Sequence, residues 1–218
     1  MKKFIILDNC LINCSGHYLE YAERVCTSAI KKGYKAYVIT NKRYKKGILN
    51  PEINVINKFS FTTWENQRLN MIQKIFSLIS YKLLIKIWKT KLLIFSKELK
   101  DIFYLLNVSK KDIILLPNGG GLEIISLLDL NKKNEFNFNI IFRRDISTFY
   151  NYFKLNLILD IFIFKKIILK LKENKSFKYL KLYTDTKELQ KIYQIKLNIK
   201  IDNLCIPCFY NDVKSISN

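Results

Sequence analysis

The sequence predicts an α/β protein built on a parallel sheet with helices on its faces. Short apolar runs of strand length recur along the chain, and most end in a polar or glycine-containing loop. Several of those loops lead into segments with apolar residues at the three-and-four spacing of an amphipathic helix. The opening order is strand, helix, strand, strand, which favours parallel pairing through right-handed crossovers.

Phe4 to Leu7 is the first strand, and Asp8 to Gly16 is a polar loop. His17 to Ile30 follows as a helix, with Leu19, Ala22, Val25, Cys26, Ala29 and Ile30 on one face. Ser15 or Gly16 can cap it, and Glu20 suits the positive end of its dipole. A helix start of this kind directs free amide groups at whatever lies beyond the strand, so Ser15 and Gly16 are candidate binding residues. His17, the chain's one histidine, stands at the junction. It reads either as a general base or substrate-orienting group, or as a helix-start residue with a local hydrogen bond.

Gly33 closes the helix, and Tyr34 to Thr40 and Ile53 to Asn57 are the next strands, separated by a basic loop. Trp64 to Leu106 is helical and free of proline and glycine. One straight helix of that length would run past about 60 Å at the usual rise, so two are expected, with a break near Thr90. Asp112 to Pro117 is a strand, and Asn118, Gly119, Gly120 and Gly121 form a loop into another helix. Consecutive glycines allow close backbone approach or positive φ. No lysine follows as in a Walker loop, and the run is not GxGxxG.

Phe138 to Asp145 is the next strand, ending in Arg143, Arg144 and Asp145. Two guanidiniums there suit a phosphate or carboxylate, with Asp145 orienting them or a hydroxyl; the alternative is a solvated salt-bridge cluster. Leu155 to Leu171 is an apolar helix too short and too charged to span a membrane. Phe177 to Asp185 is a strand ending in Thr184 and Asp185. A short helix capped by Thr186 follows, then a last strand from Ile199 to Pro207.

Hydrophobic residues make up 49% of the 218, enough for a full core and against disorder. Three prolines and six glycines leave little room for linkers. The formal charge of +20 suits a polyanion partner, either an anionic membrane surface or nucleic acid. Few of the basic residues are arginine, and lysine, isoleucine and asparagine are heavily used throughout. A composition bias is the competing account of the charge, and no nucleic-acid-binding motif is present. Five cysteines without a signal-like leader point to reduced thiols and a cytoplasmic chain. Cys10, Cys14, Cys205 and Cys208 offer a zinc or redox reading, but the first pair lacks the two-residue knuckle spacing and Cys205–Cys208 does not open a helix. No metal and no cofactor are expected.

This order, with several of its motifs, resembles the amino-terminal domain of GT-B glycosyltransferases of the family 4-like group. Gly16, His17, Tyr18 and Tyr21 match a helix start seen in that group. YTDTKELQKIY, from Tyr183 to Tyr193, matches a strand giving T-D before a helix, and Leu204 to Pro207 matches a strand closing in I-P before the interdomain linker. The Arg143–Arg144–Asp145 run also has counterparts. The resemblance implies a single Rossmann-like domain over residues 1–207, with 208–218 a tail or the start of a linker. It implies the acceptor-binding half of an enzyme moving a sugar from a nucleotide-sugar to a saccharide or lipid-linked acceptor. His17 and Asp145 would be catalytic. Ser15, Gly16, the Asn118–Gly121 loop, Arg143, Arg144, Thr184 and Asp185 would bind substrate.

The donor-binding carboxyl-terminal domain of such enzymes, with its E-x7-E-type motif, has no counterpart here. The expectation is a split enzyme whose donor half is a separate chain, a piece of a longer protein, or a remnant with a binding role. The competing function is a non-catalytic assembly module peripheral to the cytoplasmic face of an anionic membrane.

Overall fold

A computed structural model of the chain describes residues 1–12, 17–45, 49–63, 81–143, 165–167, 169–170, 179–197 and 201–204. Its strands are β1 (Lys3–Asp8), β2 (Lys35–Asn41), β3 (Asn54–Phe59), β4 (Ile113–Leu116), β5 (Asn137–Phe142), β6 (Leu180–Thr184) and β7 (Asp202–Asn203). Its helices are α1 (His17–Lys31), α2 (Tyr81–Leu105), α3 (Gly121–Asn134) and α4 (Lys187–Leu197). The strands form one parallel sheet in the order β3-β2-β1-β4-β5-β6-β7. The fold is therefore α/β and Rossmann-like, as the sequence predicts.

Strand alternation sorts the core into two faces. Ile6, Val38, Leu115 and Ile141 point to the side covered by α1 and pack with Leu19, Ala22 and Cys26. Ile5, Leu7, Ile39, Leu116, Ile140 and Phe142 point to the other side, against α2 and α3. There Phe59 stacks on Phe95 of α2 at 4.8 Å between ring centroids. Sheets buried on both faces read as continuous apolar runs, which is why β1 and β4 show no period of two in the sequence.

The helix ends follow local chemistry. Gly33 has φ +81°, and Tyr34 N–H bonds Ala29 O at 3.1 Å while Gly33 N–H bonds Ile30 O at 2.8 Å, a Schellman closure of α1. α2 closes the same way without a glycine: Asn107 takes the left-handed position at φ 45°, and Val108 N–H reaches Phe103 O at 3.0 Å. Thr186 Oγ1 accepts from Leu189 N–H at 3.2 Å and caps α4, as expected.

Two expectations are corrected. α2 runs unbroken through Thr90, whose hydroxyl donates to Lys86 O at 3.0 Å, so this polar residue satisfies itself within the helix. β5 is also shorter than expected and ends at Phe142, leaving Arg143 just beyond it. The expected start of the helix at Trp64, most of the Leu155–Leu171 helix, and Cys205 to Pro207 lie outside the described residues.

At the amino edge of the sheet, Asp112 ties β1 to β4. Its carboxylate accepts from Lys3 N–H at 2.7 Å and Ser109 N–H at 2.8 Å, and meets Lys3 Nζ at 3.3 Å. Burial pushes its carboxyl up, but the hydrogen bonds and Lys3 hold it below the usual carboxylate value. This is a buried acid with its bonding capacity used.

Candidate functional site

Strand order reverses between β1 and β4: the chain leaves β1 toward β2 on one side, and β4 pairs on the other. The two outgoing loops start on either side of this reversal, the switch point beyond whose carboxyl ends open α/β sheets place ligands. Asn9 to Ile12 follow β1, and Pro117 to Gly120 follow β4. Two polar clusters meet at this edge, one on each face of the sheet.

On the α2/α3 face, Asn9 Nδ2 donates to Glu123 Oε1 at 2.7 Å. The Thr63 hydroxyl lies 2.8 Å from Asn9 Oδ1 and 2.9 Å from Glu123 Oε1 and shares its proton between them. Glu123 sits in the first turn of α3, where its charge is favoured by the helix dipole. It is 1% exposed, and the bonds from Asn9 and Thr63 offset its desolvation. The glycines make room for this cluster. A Cβ on Gly120 would collide with the Glu123 carboxylate and meet the Thr63 methyl at 2.6 Å, and one on Gly119 would meet Ile140 Cγ2 at 3.0 Å. Both residues serve close approach, and Gly33 is the described glycine with positive φ.

On the α1 face stand Asp8, Tyr21, Arg143 and Asp185. Asp8 ends β1 and is 2% exposed. Its Oδ1 accepts from Cys10 N–H at 3.0 Å, but its Oδ2 has no hydrogen-bond partner among the described residues. Burial lifts its carboxyl to about 6, against opposing pulls from the Cys10 amide and the Arg143 charge. Arg143 follows β5, and its guanidinium carbon lies 4.4 Å from the centre of the Tyr21 ring. Nε and Nη2 of Arg143 are buried without a partner among the described residues, and so is Asp185 Oδ1. Asp185 follows β6; burial raises its carboxyl and Arg143 draws it down. Burial likewise raises the Tyr21 phenol, with Arg143 opposing.

Asn118 joins the two loops, with Nδ2 reaching Cys10 Sγ at 3.8 Å. Burial and then the Asp8 charge push the Cys10 thiol to about 12, so it is a protonated thiol and a poor nucleophile. Among the described residues no three His, Cys, Asp or Glu side chains gather as metal ligands.

The fold thus brings Asn118, Gly119, Gly120, Arg143 and Asp185 to one edge, with Gly121 opening α3 directly behind the loop. Thr184 is buried, and its hydroxyl donates to Thr186 O at 3.0 Å, which makes it part of the turn. His17 begins α1 at that edge. Ser15, Gly16, Arg144 and Asp145 lie outside the described residues. Asp8, Asn9, Thr63 and Glu123 escaped the sequence reading. For Asp8 a signal existed, a charged residue directly after four apolar ones at a strand end. Glu123 offered a weaker one, an acid two residues beyond a glycine run. Thr63 offered none, because its partners are distant in sequence.

No protein-family model matches the chain, and no curated protein matches it in sequence.

Proposed function

We propose that the chain is the acceptor-side half of a glycosyl-transfer enzyme, with the acceptor saccharide or lipid-linked sugar held at the carboxyl edge between β1 and β4. The observation that carries this reading is the buried Asp8 carboxylate at the strand reversal, with one oxygen unsatisfied and an affinity for protons closer to neutrality than an ordinary aspartate. A group of that kind accepts a hydroxyl proton efficiently. The motifs around Gly16–Tyr21 and Tyr183–Tyr193 supply the family resemblance.

In the reaction, an acceptor hydroxyl oxygen bonds to the anomeric carbon of a nucleotide-sugar. The bond from that carbon to the diphosphate oxygen breaks, the nucleoside diphosphate leaves, and the hydroxyl proton passes to a carboxylate or imidazole. Asp8, His17 and Asp145 are the candidate acceptors of that proton, and Arg143, Asn118 and the Gly119–Gly121 loop would orient the substrate. The donor sugar is bound by a separate donor half, on the pattern of the enzymes this chain resembles.

The test is to isolate the tagged full chain from its native cell with whatever copurifies, and to assay release of UDP or GDP from the corresponding sugars. Acceptor-dependent release, lost in Asp8→Ala, is expected. A chain that purifies alone and releases neither nucleotide contradicts the proposal. A second reading, a module docked on an anionic membrane, draws on the outer face of α2. There Lys86, Lys89, Leu93, Lys97, Lys100, Tyr104 and Leu105 are all exposed.

A further inference from the structure

Among the buried hydrogen-bonding atoms that lack partners among the described residues, four belong to three residues at the carboxyl ends of β1, β5 and β6: Asp8 Oδ2, Arg143 Nε and Nη2, and Asp185 Oδ1. Leaving such groups unsatisfied is costly, and more so when they are charged. They are not scattered. Asp8, Arg143 and Asp185 follow or end β1, β5 and β6, and strand alternation places them with Ile6, Ile141 and Tyr183 on the α1 face. Arg143 acts electrostatically on both aspartates. Yet the unbonded edge of its guanidinium makes no hydrogen bond to either.

The chemistry of the missing ligand follows from the atoms. Nε–H and the neighbouring Nη2–H share one edge of the guanidinium plane, so together they address a pair of adjacent oxygens. Tyr21 packs against the guanidinium, with its ring centre 4.4 Å from the guanidinium carbon. An anion would satisfy this fork, but it would have to enter beside two carboxylates, with Arg143 the one guanidinium among the described residues that acts on them. A pair of neighbouring hydroxyls has no such conflict. Each oxygen accepts from the fork, and each proton can be donated to an aspartate oxygen.

We infer that Asp8, Arg143 and Asp185 form a recognition site for two adjacent hydroxyls of an uncharged saccharide, and that it selects against sugars bearing phosphate or carboxylate. This deepens the proposed function by specifying the acceptor class, and in that respect rests on it. The binding claim itself concerns this chain alone, without donor or partner. It also revises the reading of Arg143 as an anion clamp, because among the described residues two carboxylates, Asp8 and Asp185, stand against its one guanidinium.

The test is direct binding to the purified full chain at neutral pH, by ligand-observed NMR and calorimetry. The probes are methyl α-glucoside, methyl α-mannoside, glucuronate and glucose 6-phosphate. At least one neutral glycoside should bind at least tenfold more tightly than either anion. Arg143→Gln should weaken the neutral glycoside by tenfold or more. Asp185→Asn should narrow or reverse the preference over glucuronate, a change in selectivity that a purely structural role would not produce. Circular dichroism and urea unfolding confirm that each variant is folded; if Arg143→Gln does not fold, Arg143→Lys, which keeps the charge and loses the fork, replaces it. Tighter binding of an anion, binding of no probe, or unchanged selectivity in the folded variants overturns the inference. Neutral-glycoside binding without nucleoside diphosphate release from the isolated complex leaves this site standing and removes the transferase reading.

Discussion

Asp8 and Asp112 are both buried at the ends of central strands, yet they face opposite ways in chemical terms. Asp112 has its hydrogen bonds filled and a lowered proton affinity, so its contribution to stability is present above the ordinary carboxylate range and is lost as pH falls. Asp8 has the reverse sign. Its carboxyl is held at about 6 against an ordinary 3.8, so the folded chain binds that proton more tightly than the unfolded chain. Its contribution therefore falls as pH rises through that window, and about 3 kcal/mol is lost by neutral pH. Asp8→Asn keeps an acceptor for the Cys10 amide and removes the charge. Relative to the parent, the variant should gain about 3 kcal/mol between roughly pH 3.5 and pH 7.5, read by urea unfolding at both. A difference that does not change with pH contradicts this assignment. Gly120 carries a second prediction at this scale. Gly120→Ala forces the Glu123 carboxylate or Thr63 to move and should cost about 1–3 kcal/mol in the same assay. A neutral effect would show that the Asn9–Thr63–Glu123 cluster has slack. The glycine run was legible as a place of close approach, but its reason was not. What crowds Gly120 is the Glu123 carboxylate together with Thr63, which is remote in sequence and bonds that carboxylate.

At the scale of elements, α1, β4, the loop into α3, and the cap of α4 are visible in the sequence because local rules decide them. Gly33 can take positive φ, and Thr186 can reach the Leu189 amide. Thr90 was misleading for the opposite reason. A polar β-branched residue between lysines looks like a boundary, but Trp88, Leu92, Phe95 and Leu99 on either side of it are buried and hold one helix together. The outward face of α2 supports a separate prediction. Leu93 is 70% exposed, Tyr104 90% and Leu105 67%, flanked by Lys97 and Lys100. Lysines near an anionic surface contribute about 1 kcal/mol each, and the aromatic and leucines would seat in the headgroup region. In a sedimentation assay at low salt, vesicles rich in phosphatidylserine should carry down the chain and neutral vesicles should not. The double variant Leu105→Ser/Tyr104→Ser should weaken that binding. Equal binding to both vesicle types counts against a membrane role for α2. No described helix is long and apolar enough to cross a membrane, so the contact would be peripheral.

For the whole molecule, the order of elements was readable because each strand ends in a polar loop, and parallel pairing through right-handed crossovers leaves few alternatives. The strand order β3-β2-β1-β4-β5-β6-β7 then sets the switch point, by putting the β1 and β4 loops on either side of the reversal. The site is harder to read than the fold. Arg143, Asp185 and the glycine loop were visible at strand ends, whereas Asp8 and Glu123 draw their character from burial, which a sequence does not display. The central claim is that the carboxyl edge at the strand reversal is where this protein meets a sugar. Backbone amide shift mapping on the labelled full chain with methyl α-glucoside tests it most directly. The account predicts shifts concentrated at Asp8 to Cys10, Asn118 to Gly120, Arg143 and Asp185. Shifts gathered instead at the amino edge around Lys3 and Asp112, or along the outer face of α2, would contradict it.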